Sequence, residues 1–196
     1  MSRFLDGLDR VTVRLAETRD HFDDAITVRR AVYTQEKGWR SEDILIEEAD
    51  SNETLFVGYM DGAPVASARL VSGSTVFEVE DHVDLSAYRA LARCAEIERL
   101  ALLPSRRHLL AAPAMFRAFY RYSLREGIRF IVASAPESTW KLYESIGFQC
   151  VAGPFWFEPR CWGRAYVLDF EEAAREWHEN RPSLAECFER PVEGIG

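Results

Sequence analysis

A chain of 196 residues, 47% of them hydrophobic, can bury one substantial core, and no repeat, low-complexity tract or linker divides it. Its formal net charge of −8 excludes a protein that binds nucleic acid by neutralising phosphates over a broad surface, so any basic patch has to be local.

VTVRLA at 11–16 alternates as a strand does. From Arg19 to about Lys37, Phe22, Ile26, Arg29, Arg30 and Tyr33 recur at helical spacing, and Gly38 supplies the stop. The acidic run SEDILIEEADSNE reads as loop. TLFVGYM and APVASARLV are apolar runs joined by Asp-Gly, the sequence signature of a tight hairpin. Residues 95–102 predict a further strand. Pro113 to Glu126 predict a helix closed by Gly127, with Phe116, Phe119, Tyr120 and Leu124 on its apolar face. RFIVAS at 129–134 reads as a buried strand, and a short helix is expected from near Ser138 to Gly147. Two aromatic-rich strands are expected around 148–157 and 164–170, and the last twenty residues read as a mobile tail or a terminal helix. The expectation is one α/β domain over 1–196, with a core of about 11–170 and a tail over 171–196.

Cys94, Cys150, Cys161 and Cys187 form no CxxC pair and have no histidine cluster at ligand spacing, which predicts free thiols and no metal. The opening MSRFLDGLDR lacks the apolar core of a signal peptide, and no window approaches about 18 uninterrupted apolar residues. A cytoplasmic protein with no transmembrane segment is expected.

The order of elements, together with LYESIGF at 142–148, resembles the GNAT N-acyltransferase superfamily over roughly residues 11–170. The resemblance implies a mixed central sheet flanked by helices, a helix N-terminus that takes the donor's phosphates, and Tyr143 as the acid that protonates the departing thiolate. The phosphate loop departs from that pattern. Glycines at alternating positions let backbone N–H groups crowd a pyrophosphate, yet here the run is Arg107, His108, Leu109, Leu110, Ala111, Ala112. Two subfamilies of that fold share the loss: the acyl-homoserine-lactone synthases and the long-chain N-acyl amino acid synthases, both able to take acyl groups from acyl carrier protein. Arg29, Tyr33, Trp39, Glu47, Asp50, Arg69, Glu96 and Arg99 are similar in order and spacing to the lactone synthases' motif, with Tyr33 where they have phenylalanine and Glu47 where they have aspartate. VRLAETRDHFDDAITVRRAVYTQEKGW and AGPFWFEPRCWGRAY look more like the N-acyl amino acid synthases.

Acyl transfer from a thioester to an amine needs a base for the amine, donors for the developing oxyanion, and stabilisation of the thiolate. Glu96 is the candidate base, directly or through a water, and the N–H of Leu102 or its neighbours from Leu100 on is the candidate oxyanion donor. Residues 96 and 99 would face opposite sides of a regular strand, and a bulge is the device that could re-aim one of them. Without such chemistry, Glu96, Glu98 and Arg99 are a self-paired charged strand and Tyr143 a core aromatic.

Arg29, Arg69 and Arg99 could each hold an amino acid's carboxylate in two-pronged geometry, or form an ion network with Glu47, Asp50 and Glu96. Tyr33, Trp39 and Asp50 complete the candidate acceptor site. Arg106, Arg107 and His108 precede a helix on which Arg117, Arg121 and Arg125 recur every four residues, a basic stripe suited to an acidic carrier protein or, equally, an ordinary solvated face. Phe155, Trp156, Phe157, Trp162 and Tyr166 suit the walls of an acyl tunnel or any buried sheet.

The expected function is fatty acyl transfer from an acyl-carrier-protein or CoA thioester to the α-amine of an amino acid or related metabolite, with no tightly bound cofactor and with acyl carrier protein as the partner. Two alternatives stand beside it. One is a lactone synthase using S-adenosylmethionine; the other is a catalytically silent GNAT-like module that only binds protein.

Overall fold

The computed structural model describes residues 10–36, 38, 52–74, 76–104, 110–157 and 161–195. The chain opens with β1 (Val11–Leu15) and α1 (Arg19–Arg29), whose N-terminus is capped by the Thr18 side chain accepting from the His21 N–H. The helix then widens into a π-helix, Arg30–Glu36, a form that recurs at functional sites. β2 (Glu53–Met60) and β3 (Ala63–Ser72) form the expected hairpin. Asp61 and Gly62 take φ of 52° and 79°, the paired positive values that a two-residue turn between right-twisted strands requires.

A 3-10 turn (Glu78–Asp81) and α2 (Ser86–Leu91) follow, neither of them foreseen in the sequence. β4 (Arg93–Leu102), α3 (Ala112–Glu126), β5 (Ile128–Pro136) and α4 (Trp140–Ile146) come next. β6 (Gln149–Phe157), β7 (Cys161–Asp169), α5 (Phe170–Asn180) and α6 (Pro182–Glu189) complete the chain. The seven strands form one sheet in the order β1-β2-β3-β4-β5-β7-β6, antiparallel except for β4 beside β5.

Strand alternation divides the core between the two faces of this sheet. Ala66, Ala68, Leu70, Ala95 and Ile97 pack with Met115 and Phe119 of α3 on one face. On the other, Leu55 and Val57 meet Ala25 of α1, while Phe77, Val79 and Leu85 cover Val71, Phe130 and Val132. The C-terminal segment is no loose tail. Trp177 is fully buried, its indole N–H donates to the Ile146 carbonyl at 2.8 Å, and its ring lies 4.5 Å from that of Phe188. A single domain results. No helix among the described residues is long and apolar enough to cross a membrane, and the four cysteines form no disulfide.

Candidate active site

The site begins where the sheet opens. β4 and β5 pair from Arg93 and Ile128 as far as Ile97 and Ala133, yet both strands run on, to Leu102 and Pro136. The ladder therefore stops halfway and leaves a split facing the outer half of β4.

Opposite that split, β4 carries the bulge that the residue spacing called for. Ser67 pairs with Ala101 and Arg69 with Glu98, so Arg99 and Leu100 together face Ala68, and Arg99 takes a φ of 52°. The extra residue shifts the parity. Glu96, Glu98 and Ala101 lie on the α1 face, whereas Leu100 and Leu102 pack with Ile97 on the α3 face. The Leu103 N–H bonds to Val65 of β3 at 2.9 Å, and by alternation that of Leu102 points the other way, towards the split.

Glu96 is buried and held by both oxygens: Oε1 accepts from the Val79 N–H at 2.9 Å and Oε2 from the Glu78 N–H at 2.7 Å. Burial pushes its carboxyl up to about 8, Glu98 and Glu78 push the same way, and the two N–H groups pull against them. Burial raises Glu98 too, with Arg69 opposing.

Of the three arginines, two are occupied within the chain. Arg69 donates to Glu98 at 2.6 Å and to Glu53 at 2.7 Å, and Arg99 grips Glu78 with both terminal nitrogens at 2.9 and 3.0 Å. Arg69 and Arg99 do enter an ion network, but with Glu53, Glu78 and Glu98 and not with the expected Glu96, which the Glu78 and Val79 N–H groups hold. Arg29 differs. It is 0% exposed, and none of its guanidinium nitrogens has a hydrogen-bond partner among the described residues. Burial pulls it down to about 9, with the like charges of Arg69 and Arg99 adding to the effect.

One helical turn on, Tyr33 packs with Val28, Val32 and Ala101, and its hydroxyl donates to the Leu100 carbonyl at 3.0 Å. Burial raises its phenol to about 12. Tyr143 comes from the opposite side, stacked on Tyr166 with centroids 5.6 Å apart and edge-on to Phe116 and Phe148. Burial drives it well above the ordinary tyrosine range, and Tyr33 is the next contributor. Two phenols thus flank the split, one from each face.

The basic stripe is open only towards its C-terminal end, where Arg125 is exposed. Arg117 is 4% exposed, Arg121 reaches the Glu189 carbonyl at 3.5 Å, and Arg125 donates to that of Ile195 at 3.0 Å while lying over the Tyr122 ring. Helical spacing aligned these residues correctly, but the C-terminal helices pack against that face. Arg106, Arg107 and His108 lie outside the described residues, as do Trp39, Glu47 and Asp50. The aromatic wall is divided as well. Tyr166 is core, Phe155 stacks on His82 at 3.7 Å, and Trp156 and Trp162 form an exposed edge-to-face pair. Glu53, Glu78 and the Leu100 carbonyl had no local signal: each acquires its partner from another element of the fold. Among the described residues no histidine, cysteine and carboxylate cluster could hold a metal.

The sequence model of the N-acyl amino acid synthase FeeM matches residues 24–161. Among solved structures, FeeM, an N-acyl amino acid synthase from uncultured soil microbes, is similar with a TM-score of 0.71 at 17% identity, covering 84% of this chain and 93% of that one. BjaI, a CoA-dependent acyl-homoserine lactone synthase solved with SAM and isopentyl-CoA, gives 0.65 at 19% identity, covering 92% and 90%. A Desulfovibrio desulfuricans protein assigned to the GNAT family gives 0.59 at 15% identity, covering 82% and 99%. No protein of curated function matches the sequence.

Proposed function

Because the chain belongs to the FeeM family of N-acyl amino acid synthases and is a GNAT-type N-acyltransferase, we propose that it moves a fatty acyl group from an acyl-carrier-protein thioester to the α-amine of an amino acid. The observation that carries this reading is the half-open pair of β4 and β5, with a bulged strand on one side and the buried Tyr143 beside it. A thioester arm laid in that split lies alongside backbone groups with no strand opposite them.

In this reading the Leu102 N–H, pointing to the split, stabilises the oxyanion as the amine nitrogen attacks the carbonyl carbon. Glu96, directly or through a water, takes the amine's proton. The carbon–sulfur bond then breaks and Tyr143, kept protonated by burial, gives its proton to the thiolate. Arg29, Tyr33, Trp39 and Asp50 form the acceptor side, while Arg69 and Arg99 hold Glu53, Glu78 and Glu98 in place. Arg69 and Arg99 therefore support the site without reaching the acceptor.

The carrier is favoured as donor because the run Arg107 to Ala112 has no glycine with which to cradle a pyrophosphate, whereas a phosphopantetheine arm presents one phosphodiester. Arg106, Arg107 and His108 are the basic group assigned to docking, since Arg117 is buried and Arg125 donates to the Ile195 carbonyl. The test supplies matched carrier and CoA thioesters with a pool of amino acids plus S-adenosylmethionine, and identifies products by mass spectrometry. Faster N-acyl amino acid formation from the carrier is expected. Product from CoA alone would overturn the donor assignment, a released lactone would replace the acceptor, and no product would leave a binding module.

A further inference from the structure

Three arginines stand where an amino acid's carboxylate could be held, and the fold has used two of them. Arg69 is saturated by Glu53 and Glu98, and Arg99 by Glu78. Arg29, with three unpartnered nitrogens and no exposure, is left with an unmet demand for an anion. Burying a guanidinium without a partner costs several kcal/mol, so chains rarely retain one that nothing fills.

A second orphan lies on the same face. Ser67 is fully buried with no partner for its hydroxyl, and it sits opposite Ala101, which packs with Val28, Val32 and Tyr33. Val28 directly precedes Arg29, so the serine lies beneath the turn of helix that carries the guanidinium. An unmet cation on the helix and an unmet hydroxyl on the strand packed beneath it match the two oxygens of a carboxylate.

We propose that Arg29, with Ser67, binds the α-carboxylate of the acceptor amino acid. The inference rests on the acyl-transfer reading above and deepens it. It also fixes which amine reacts. Tyr33 is one turn beyond Arg29, and its hydroxyl marks the Leu100 carbonyl at the mouth of the split. A carboxylate on Arg29 leaves an amine on the neighbouring carbon near that carbonyl, whereas a side-chain amine several bonds away overshoots it. Free α-amino acids are therefore the preferred acceptors; simple amines and amino acids blocked at the carboxyl are poor ones.

The test uses the full chain with dodecanoyl thioesters of carrier protein and CoA, and compares the amino acid accepted from a pool with its decarboxylated amine. Loss of the carboxylate is expected to lower kcat/KM about a hundredfold in the unaltered protein, the worth of a charge-assisted pair. Arg29→Gln should lower kcat/KM for the amino acid by a similar factor and for the amine far less, so that the preference for the carboxylate-bearing acceptor collapses. Equal loss with both acceptors, or none with either, overturns the assignment while the acyl-transfer reading stands. If the unaltered protein acylates no amine, that reading falls instead, and Arg29 is judged from stability alone. Ligand-free Arg29→Met should melt at or above the unaltered protein, because an unpaired buried charge has been removed. A melting point lower by several degrees would mean that the guanidinium is paired inside the folded chain, and would overturn the proposal.

Discussion

The Tyr33 hydroxyl donates to the Leu100 carbonyl at 3.0 Å, fastening the π-helix that follows α1 to the bulged point of β4. Acceptor side and donor split meet at this bond. Tyr33→Phe keeps the ring against Val28, Val32 and Ala101 and removes only the hydroxyl. Stability should fall by about 1 kcal/mol in a urea melt. Turnover should fall about tenfold, because misplacement at the bulge moves the N–H groups that meet the oxyanion. A melt that shifts with no change in kcat would reduce Tyr33 to a packing residue.

Glu96 gives opposite pH signatures for stability and activity. Its ordinary value is 4.5, and burial raises it to about 8 in the folded chain. Between those values the folded chain retains a proton that the unfolded chain has lost, so stability falls as pH rises across that window. A general base needs the proton gone, so kcat/KM should climb over the same range and level off above about 8. Glu96→Gln should flatten both curves. It should also lower stability by about 1–3 kcal/mol, since an amide has one acceptor oxygen for the Val79 and Glu78 N–H groups. An unchanged rate profile would remove Glu96 from the proton transfer.

Tyr143→Phe leaves the edge contacts with Phe116 and Phe148 in place. Its raised pKa keeps the phenol protonated through the working range, which suits an acid and not a base. Transfer should slow about 10- to 100-fold while KM for the thioester stays put, as steady-state kinetics would show. An unchanged kcat means the thiolate leaves without this acid.

Charge reversal separates the buried arginine from the loop. Arg117→Glu places a carboxylate in a 4% exposed position on α3, and should cost several kcal/mol and depress activity with both donors alike. Reversing Arg106 and Arg107 together should weaken carrier-dependent turnover, most at low salt, and spare a free pantetheine thioester. Equal loss with the two donors would end the docking assignment.

The sequence alone determined what depends on short-range periodicity and backbone chemistry. The Asp-Gly hairpin, the α3 stop at Gly127 and the succession of strands along the chain follow from turn residues and apolar spacing within a few residues. The need for a bulge near Arg99 was legible too, because two useful residues an odd number apart cannot share a face of a regular strand. Only the tertiary structure decided how charges and aromatics were apportioned. Arg29, Arg69 and Arg99 are equivalent as letters; the pairing of β2, β3 and β4 gives Arg69 its carboxylates, the 3-10 turn gives Arg99 Glu78, and the third receives none. Arg117, Arg121 and Arg125 do align along α3, as the spacing said, but whether that line meets solvent depends on where α5 and α6 come to rest. Burial of a side chain is set by what arrives from elsewhere in the chain, and local pattern does not record it.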